Sequence, residues 1–505
     1  MPNLPPLPSL STPVREIRGK VSASRLSRYP AAILLLPPAP VRADWAQVPH
    51  AASAQSVFAR KKRKAGEHIE LRVGQRAETL LVIAIVAAKA STFERLQSGA
   101  KWARAALAGE PRSLLIWQGG AGTDSTRAAA KALIAALQAA AMPLPSFKSK
   151  PARRTALAGV DLLLDARLPA LRQELAASAG ANLVRWLTAL PPSRLDAAGY
   201  RRFLRQLARQ LRVDYRFYDE AKLKRLDAGA FLAVSQGNAR RDAGIVRLSY
   251  RPRGASKAAP LSLVGKGICF DTGGINLKPH KSMLDMHTDM AGSAVALGTL
   301  HALHALNSPL ALDCWLAITE NLIGPTAYKP QDIVRAHNGT TIQVIHTDAE
   351  GRMVLADTLC LAAARKPRAI IDYATLTGAC VYALTERYAG AFTNRPERRD
   401  MIEAAGVASG ERVWCFPMDA DFDTDIESQV ADIMQCASDG KGDHILAARF
   451  LSRFVPQDIP WLHLDLASAT RIGGLAHVAT EITGFGVRYT LELIHRGWPS
   501  AAARA

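Results

Sequence analysis

Three charged residues lie within five positions in the segment VIHTDAEGRMVLADTL, residues 344–359. Asp348, Glu350 and Arg352 stand where an apolar, strand-like run, TIQVI, gives way to a helix pattern, MVLADTLCLAAA. Carboxylates at such a junction can bind a metal ion, and a guanidinium can hold an oxyanion. A structural role is the alternative, because residues 347–350 also fit a capping box, which satisfies free N–H groups in a first helical turn.

Four more charged residues border predicted strands or helices upstream. Lys266 and Asp271 flank the strand-like run in VGKGICFDTGGINLKP, and Lys278 follows its Gly-Gly turn. Asp289 precedes the helix pattern in LDMHTDMAGSAVALGTL. Since a buried ion is destabilising unless it is paired or bound, these charges must find partners. A salt bridge between Lys266 and Asp271 is one solution, and a metal site is the other.

The two groups together contain four carboxylates and three cations. Carboxylates crowded together raise one another's pKa unless divalent ions lie among them. Two metal ions bridged by shared carboxylates, about 3.5–4 Å apart, are a known hydrolytic arrangement. Oxygen ligands with one nitrogen are compatible with Zn, Mn or Co. Spacing alone does not show that these residues converge, so salt bridging and metal binding both stay open.

The segments that must position these residues alternate short apolar strands with helices. From about residue 176, the strand-like runs are LSLVGKGICF, LDCWLAI, TIQVI, AIIDYATL and WLHLDLA. This order favours an α/β domain with a central, mostly parallel sheet, in which ligands bind at the carboxyl ends of strands. We expect a smaller N-terminal α/β domain over residues 1–175, ending in a linker or helix, and a larger α/β domain over residues 176–505.

The composition is that of a globular protein, with 49% hydrophobic and 21% charged residues. The longest clean apolar run, LLVIAIVAA at residues 80–88, is too short to span a bilayer, so no membrane association is expected. All six cysteines lie in the second half, and none forms a CxxC pair. Such usage predicts a reducing compartment, most simply the cytoplasm.

The positive charge is concentrated at the front of the chain. Residues 1–200 contain 28 Lys and Arg against 12 Asp and Glu, and the remaining 36 and 32 nearly balance. The run ARKKRKAGE places five cations together at residues 60–64. Such a patch attracts nucleic acid through counterion release, whereas the alternative is a solvated loop. No groove-reading motif accompanies the run, so base-specific readout is not predicted.

Several of these segments resemble one known family. VGKGICFDTGGINLKP and HTDAEGRMVLADTL are similar to motifs of the leucyl aminopeptidase family, the dinuclear metallo-exopeptidases of the cytosol aminopeptidase type. Three further segments support the resemblance: ENLIGPTAYKPQDIV, IDYATLTGACVYAL and WLHLDLASAT. The resemblance covers roughly residues 176–505. It implies a catalytic domain that removes N-terminal residues from peptides with a free amino end, with a leucine-type preference. It also implies a homohexamer of two stacked trimers.

The resemblance assigns metal ligands residue by residue. Asp271 and Glu350 would bridge two divalent ions, Zn or Mn, in each subunit. Lys266 and Asp289 would complete one metal site. Asp348 would complete the other through its side chain and its backbone carbonyl.

The resemblance also assigns residues that act without binding metal. Lys278 would donate a hydrogen bond to the developing gem-diolate, and Arg352 would hold a bicarbonate ion that serves as general base. Leu376 and Gly378 would contact the substrate backbone. Because some bacterial members of the family bind DNA, a regulatory role through the basic N-terminal domain is the alternative, or an addition, to peptide hydrolysis.

The chain departs from the family pattern in four places. His346 stands where the family usually has Asn, beside the cleft for the first side chain of the substrate, and His287 replaces a common Lys. Asp443 and His444 replace a more usual small, neutral pair. These departures leave the preferred N-terminal residue open.

Overall fold

The computed structural model describes residues 4–62, 64–74, 78–119, 123–150, 156–164, 168–252 and 259–499. Two large sheets follow one another along the chain, and each is covered by helices on both faces. The expectation of a mixed α/β protein with mostly parallel sheets is confirmed. No helix in these ranges is both long enough and apolar enough to cross a membrane.

The first sheet has six strands in the order β1-β6-β5-β2-β4-β3, and all neighbours are parallel except β3 and β4. Successive residues of its central strand, such as Ile33 and Leu34, pack in different hydrophobic clusters on the two faces of the sheet. Its elements are β1 (Val14–Ile17), α1 (Ala23–Leu26), β2 (Ala31–Leu36), α2 (Arg42–Ala46), α3 (Ala51–Arg60), β3 (His68–Val73), β4 (Thr79–Ile85), α4 (Thr92–Leu107), β5 (Ser113–Gln118), α5 (Asp124–Ala141) and β6 (Gly159–Leu163).

The second sheet has eight strands in the order β15-β14-β17-β13-β9-β10-β8-β7. Its strands and those of a three-stranded sheet, β11-β12-β16, are β7 (Asp214–Asp219), β8 (Gly244–Tyr250), β9 (Leu261–Asp271), β10 (Leu312–Asn321), β11 (Ile333–Arg335), β12 (Thr341–Gln343), β13 (Ala369–Ala374), β14 (Ala389–Thr393), β15 (Val413–Cys415), β16 (Ile433–Met434) and β17 (Trp461–Asp465). The four central strands, β17, β13, β9 and β10, run parallel to one another.

Helices of the second part lie on both faces of this sheet. They are α6 (Leu171–Thr188), α7 (Ala197–Leu211), α8 (Glu220–Arg225), α9 (Gly229–Ser235), α10 (His280–Met283), α11 (Ala291–Ala305), α12 (Glu350–Ala363), α13 (Gly378–Leu384), α14 (Arg399–Ser409), α15 (Asp443–Ser452) and α16 (Val487–His495). Leu263 of β9 packs in the cluster that holds α6, α11 and α16, whereas Val264 packs in the cluster that holds α9, α12 and α15. Burial on both faces explains why these strands read as continuous apolar runs.

Helix α6 runs through the expected domain boundary at residue 175 and packs against α11 of the second part.

Two sequence features fall partly outside the described residues. The Pro-rich, basic segment AMPLPSFKSKPARRT, residues 141–155, is the expected linker, and its last five residues, 151–155, lie outside the described ranges. Arg63 of the basic run lies outside them as well. Arg60 ends α3, and the Lys64 backbone N–H donates to Glu67.

Candidate metal centre

The predicted charged residues meet at the carboxyl ends of the central strands. Lys266 lies within β9 and Asp271 ends it, and Asp289 lies two residues before α11. Glu350 begins α12, two residues after Asp348. A cavity of about 790 Å³ opens here, lined by Lys266, Asp271, Asp289 and Asp348 among others. We call Asp271, Asp289, Asp348 and Glu350 the acidic cluster.

The start of α12 differs from the capping box that the sequence suggested. Ala349 is the N-cap residue, and no side chain accepts a capping hydrogen bond there. The Thr347 hydroxyl instead accepts from the Asn276 N–H at 2.8 Å and donates to the Gly273 carbonyl at 2.7 Å. The capping prediction is therefore wrong, because Thr347 fixes the turn after β9 against this loop.

Lys266 forms a buried ion pair with two carboxylates at once. Its Nζ lies 2.9 Å from both Asp289 Oδ1 and Glu350 Oε1, and it donates to the Thr375 carbonyl at 3.0 Å. Burial opposes its charge, but Asp289 and Glu350 outweigh burial and raise the pKa of Lys266. The salt bridge to Asp271 considered from the sequence is wrong, because Asp271 pairs with another lysine.

Lys278 is that second lysine. Its Nζ lies 3.0 Å from Asp271 Oδ2 and 2.5 Å from Asp348 Oδ1. The other Asp271 oxygen accepts hydrogen bonds from the Gly273 N–H and from Asn321 Nδ2, both at 2.8 Å. Each lysine thus neutralises part of the acidic cluster from a different side.

The acidic cluster has unused ligand atoms. Asp271, Asp348 and Glu350 each offer an oxygen, and these three atoms lie within 4.8 Å of one another. Within the described part of the chain, Glu350 Oε2 and Asp289 Oδ2 are buried without a hydrogen-bond partner. A buried carboxylate oxygen without a donor is destabilising, so the residues present fit a divalent cation.

Burial is also the main influence on the acids themselves. Desolvation raises the pKa of Asp289 to about 8 and that of Glu350 to about 7, while nearby lysines lower both. The same effect, strengthened by Asp271, raises the pKa of Asp348 to about 6. A bound cation would supply the positive charge that keeps such buried carboxylates ionised, so raised pKa values are expected at a metal site without its ion.

Arg352 is buried at the wall of this cavity, and its guanidinium already holds an anion. Its Nη2 donates to both Asp443 oxygens at 2.8 Å, and its Nη1 donates to the Gln435 carbonyl at 3.1 Å. In the sequence, Asp443 stood out only as a departure from the usual small, neutral residue of the family. Its position 91 residues beyond Arg352, at the first position of α15, gave no signal of this contact.

Leu376 and Gly378 also line the cavity. The Leu376 N–H donates to Asp465 Oδ1 at 3.1 Å, so it is not free for a substrate backbone. Thr377 caps α13 and donates to Asp465 Oδ2 at 2.7 Å, and Gly378 begins that helix. Asp465 therefore fixes this wall. Sequence reasoning missed it, although an Asp at the end of the WLHLD strand was a usable signal.

The three departing histidines have different surroundings. His346 lines the cavity, and burial lowers its pKa. His444 packs edge-on against Phe416, with 4.4 Å between ring centroids. His287 is half-buried, and burial lowers its pKa as well. Of the three, His346 is the one placed to contact a ligand in the cavity.

Comparison with known proteins agrees with this arrangement. Residues 182–491 match the model of the cytosol aminopeptidase family, catalytic domain. Probable cytosol aminopeptidases of Rhodopseudomonas palustris (strain BisA53) and Syntrophotalea carbinolica are 41% and 43% identical over 318 and 293 residues, which are 62% and 58% of this chain. The match spans less than two thirds of those relatives, 63% and 58% of their lengths.

A solved structure extends the likeness to most of the chain. The bottromycin maturation enzyme BotP in complex with Mn superposes with a TM-score of 0.79 and 30% identity, covering 92% of this chain and 98% of that one. The similarity therefore includes the first sheet as well as the second. The chain belongs to the cytosol aminopeptidase family.

Proposed function

We propose that the protein is a metal-dependent aminopeptidase that releases the N-terminal residue from peptides with a free amino end. Family membership supports the reaction class. The observation that carries the proposal is that four carboxylates and two lysines form one ion-paired cluster beside the cavity, with two buried carboxylate oxygens lacking donors among the described residues.

The ligand assignments implied by the resemblance are part of this proposal. Asp271 and Glu350 would bridge two divalent ions, with Lys266 and Asp289 on one side and Asp348 on the other. Zn and Mn are the proposed ions, and the Mn in the BotP complex supports Mn. Bound ions would polarise the scissile carbonyl and lower the pKa of the attacking water.

The chain's own residues do the remaining work. The Lys278 side chain is 14% exposed and can donate to the oxyanion that develops on the scissile carbonyl. Gly378 and Leu376 line the cavity where the substrate backbone would lie. Arg352 acts through the anion it holds. The expected bicarbonate remains a prediction; in this structure both Asp443 oxygens accept from Arg352 Nη2.

Assembly, location and side-chain preference are further parts of the proposal. A leucine-type preference and a homohexamer rest on the resemblance, and the exposed apolar side chains of Tyr382 and Ile472 offer surfaces for assembly. Six free, buried cysteines agree with a cytoplasmic protein. The DNA-binding alternative stays a prediction that rests on the basic N-terminal run.

Metal analysis of the purified protein, with hydrolysis assays on aminoacyl anilides, tests the function. We expect about two ions per chain and hydrolysis of Leu-anilide but not of its N-acetylated form. Glu350→Gln should lose metal and activity together. A metal-loaded protein that cleaves no unblocked anilide, or cleaves the acetylated one equally well, would contradict the proposal.

A further inference from the structure

Arg352 and Asp443 form an ion pair at the wall of the cavity, outside the acidic cluster and its lysines. Both Asp443 oxygens accept from Arg352 Nη2 at 2.8 Å. The Arg352 side chain is 2% exposed, whereas that of Asp443 is 26% exposed and lines the cavity. The buried partner is therefore fixed, and the carboxylate keeps access to the space where a substrate would bind.

Arg352 is itself held in a defined place. Besides accepting from Arg352, Gln435 donates from Nε2 to the Ala349 carbonyl at 2.9 Å and accepts from the His346 N–H at 3.1 Å. These bonds join the segment before α12 to the residue that follows β16. Asp443 is consequently positioned relative to the segment that carries the acidic cluster.

The partner of Asp443 sets it apart from the other carboxylates of the cavity. The acidic cluster is paired with lysines, whose protons can be lost, whereas a guanidinium stays charged throughout the accessible pH range. Arg352 therefore offers Asp443 a permanent positive charge but no transferable proton. Asp443 lines the cavity and is fixed in place, so its carboxylate can accept a proton from a water molecule bound there.

We propose that Asp443, positioned by Arg352, is the general base of peptide hydrolysis, so that the protein needs no external anion at Arg352. This inference rests on the proposed aminopeptidase function. The attacking water gives one proton to Asp443 as its oxygen bonds to the carbonyl carbon. When the C–N bond breaks, Asp443 returns that proton to the leaving nitrogen.

Chemical rescue tests the proposal. We expect Asp443→Ala to keep its metal and lower kcat on Leu-anilide by about 10²–10⁴-fold. Added formate or bicarbonate should restore part of that rate, because either small oxyanion can enter the vacated space beside Arg352. The unsubstituted protein should not respond to either anion. In the Asp443→Ala/Arg352→Met double variant the anions should restore nothing.

Matched variants separate this role from a structural one. Asp439→Ala removes another exposed carboxylate that lines the same cavity but pairs with Lys441 instead of Arg352, and it serves as the control for lost negative charge. Asp443→Glu should retain more rate than Asp443→Ala if folding is intact. A folded, metal-loaded Asp443→Ala enzyme that keeps its full rate, or that neither anion rescues, overturns the proposal. An inert unsubstituted protein would instead overturn the aminopeptidase function itself.

A second cavity, of about 390 Å³, lies between α4 of the first part and loops of the second. Arginines line it from four separate segments: Arg104, Arg387, Arg412 and Arg471. No Asp or Glu is among its described lining residues, and none of the four forms an ion pair within the described ranges. Four like charges around one space favour an anionic occupant.

Arg412 shows that this cavity is built rather than incidental. Its guanidinium packs on the ring of Phe93 at 4.0 Å and on that of Tyr388 at 4.4 Å. Its buried Nε has no hydrogen-bond partner among the described residues. Arg471 is oriented by a hydrogen bond to the Gly474 carbonyl. Stacked arginines present their N–H edges, which match phosphate and carboxylate oxygens.

We infer that this cavity binds a small polyanion carrying phosphate or carboxylate groups. Its enclosure between two parts of the chain favours a small molecule over a nucleic acid. Calorimetric titration with inorganic tripolyphosphate and, separately, citrate distinguishes the two anion sources. We expect saturable binding of at least one, weakened about tenfold or more by Arg412→Ala and unchanged by Arg209→Ala on the exposed face of α7.

This second inference would be overturned if neither anion bound, or if both variants lost affinity equally. It would also be overturned if Arg412→Ala changed the oligomeric state on gel filtration, because the cavity would then be an interface between copies of the chain. Binding of a duplex oligonucleotide that tripolyphosphate fails to displace would likewise count against a small-molecule site.

Discussion

His463 Nδ1 lies 2.6 Å from Asp372 Oδ1, and both side chains are fully buried on neighbouring strands β17 and β13. The second Asp372 oxygen accepts from Trp461 Nε1 at 2.6 Å. Burial opposes the imidazolium, but Asp372 outweighs burial and raises the pKa of His463 above its ordinary 6.5. Charge on this histidine therefore stabilises the folded sheet.

We expect Asp372→Asn to destabilise the protein by about 3 kcal/mol in mildly acidic solution, because it leaves a buried histidine without its counter-charge. A raised folded-state pKa gives stability that is complete below the unfolded value and is lost as pH rises through the folded value. Urea unfolding at about pH 6 and about pH 9 should therefore show a larger difference between variant and parent at the lower pH. A larger difference at the higher pH would contradict the ion pair.

We predict that Lys266 keeps its position only while residue 351 has no side chain. A Cβ at this position of α12 would lie 2.6 Å from both Lys266 Cε and Nζ, and Lys266 is held by three oxygens. We expect Gly351→Ala to displace the amine and weaken metal binding at least about tenfold, although alanine favours the helix by about 1 kcal/mol. Metal titration with a thermal melt measures both effects.

The control for that substitution is Gly109→Ala, where a Cβ would meet nothing within 4 Å. If Gly351→Ala binds metal as tightly as Gly109→Ala, then Lys266 does not need its present position. If Gly351→Ala fails to fold while Gly109→Ala folds, the position of Lys266 is needed for folding of the core rather than for metal binding.

Metal addition should stabilise the protein by mass action. At about 100 times its Kd, Zn or Mn adds about 2.7 kcal/mol, which raises Tm by roughly 2–4 °C in a chain of this size. Glu350→Gln should abolish most of this shift, because it removes a carboxylate from the acidic cluster. Glu427→Gln, at an exposed position, should leave it unchanged. An equal shift in both variants would place the ions elsewhere.

His346 is expected to limit the size of the first substrate side chain. It lines the cavity and stands where smaller Asn is usual in the family. We expect His346→Asn to raise the ratio of kcat/KM for Phe-anilide to kcat/KM for Ala-anilide by about tenfold. The reason is that the smaller Asn side chain leaves room in the cavity for the larger phenyl group. His495→Asn on α16 is the control. A ratio that stays constant in both variants would remove His346 from the specificity site.

The convergence of the charged residues could be predicted because parallel strands place their carboxyl ends together. Lys266, Asp271 and Glu350 all lie beside predicted strands, and the structure brings them into one cluster. The partners within that cavity could not be predicted. Whether Lys266 pairs with Asp271 or with Glu350 depends on how the turn after β9 folds back.

Longer-range contacts account for the other errors. Thr347 fitted a local cap, but it forms its hydrogen bond with Asn276, 71 residues earlier. Asp443 contacts Arg352 only because β16 and α15 return to the start of α12. Local pattern carries no information on such returns, since they depend on tertiary packing between segments that are far apart in the sequence.

The acidic cluster draws on both helical layers of the larger sheet. Asp289 precedes α11 on one face, Glu350 begins α12 on the other, and Lys266 contacts both across the strand ends. Ions held between them would cross-link these layers, in a chain whose six cysteines are all free. The d–d spectrum of a cobalt-substituted protein would then report any slippage of one layer against the other, including slippage caused by distant core substitutions.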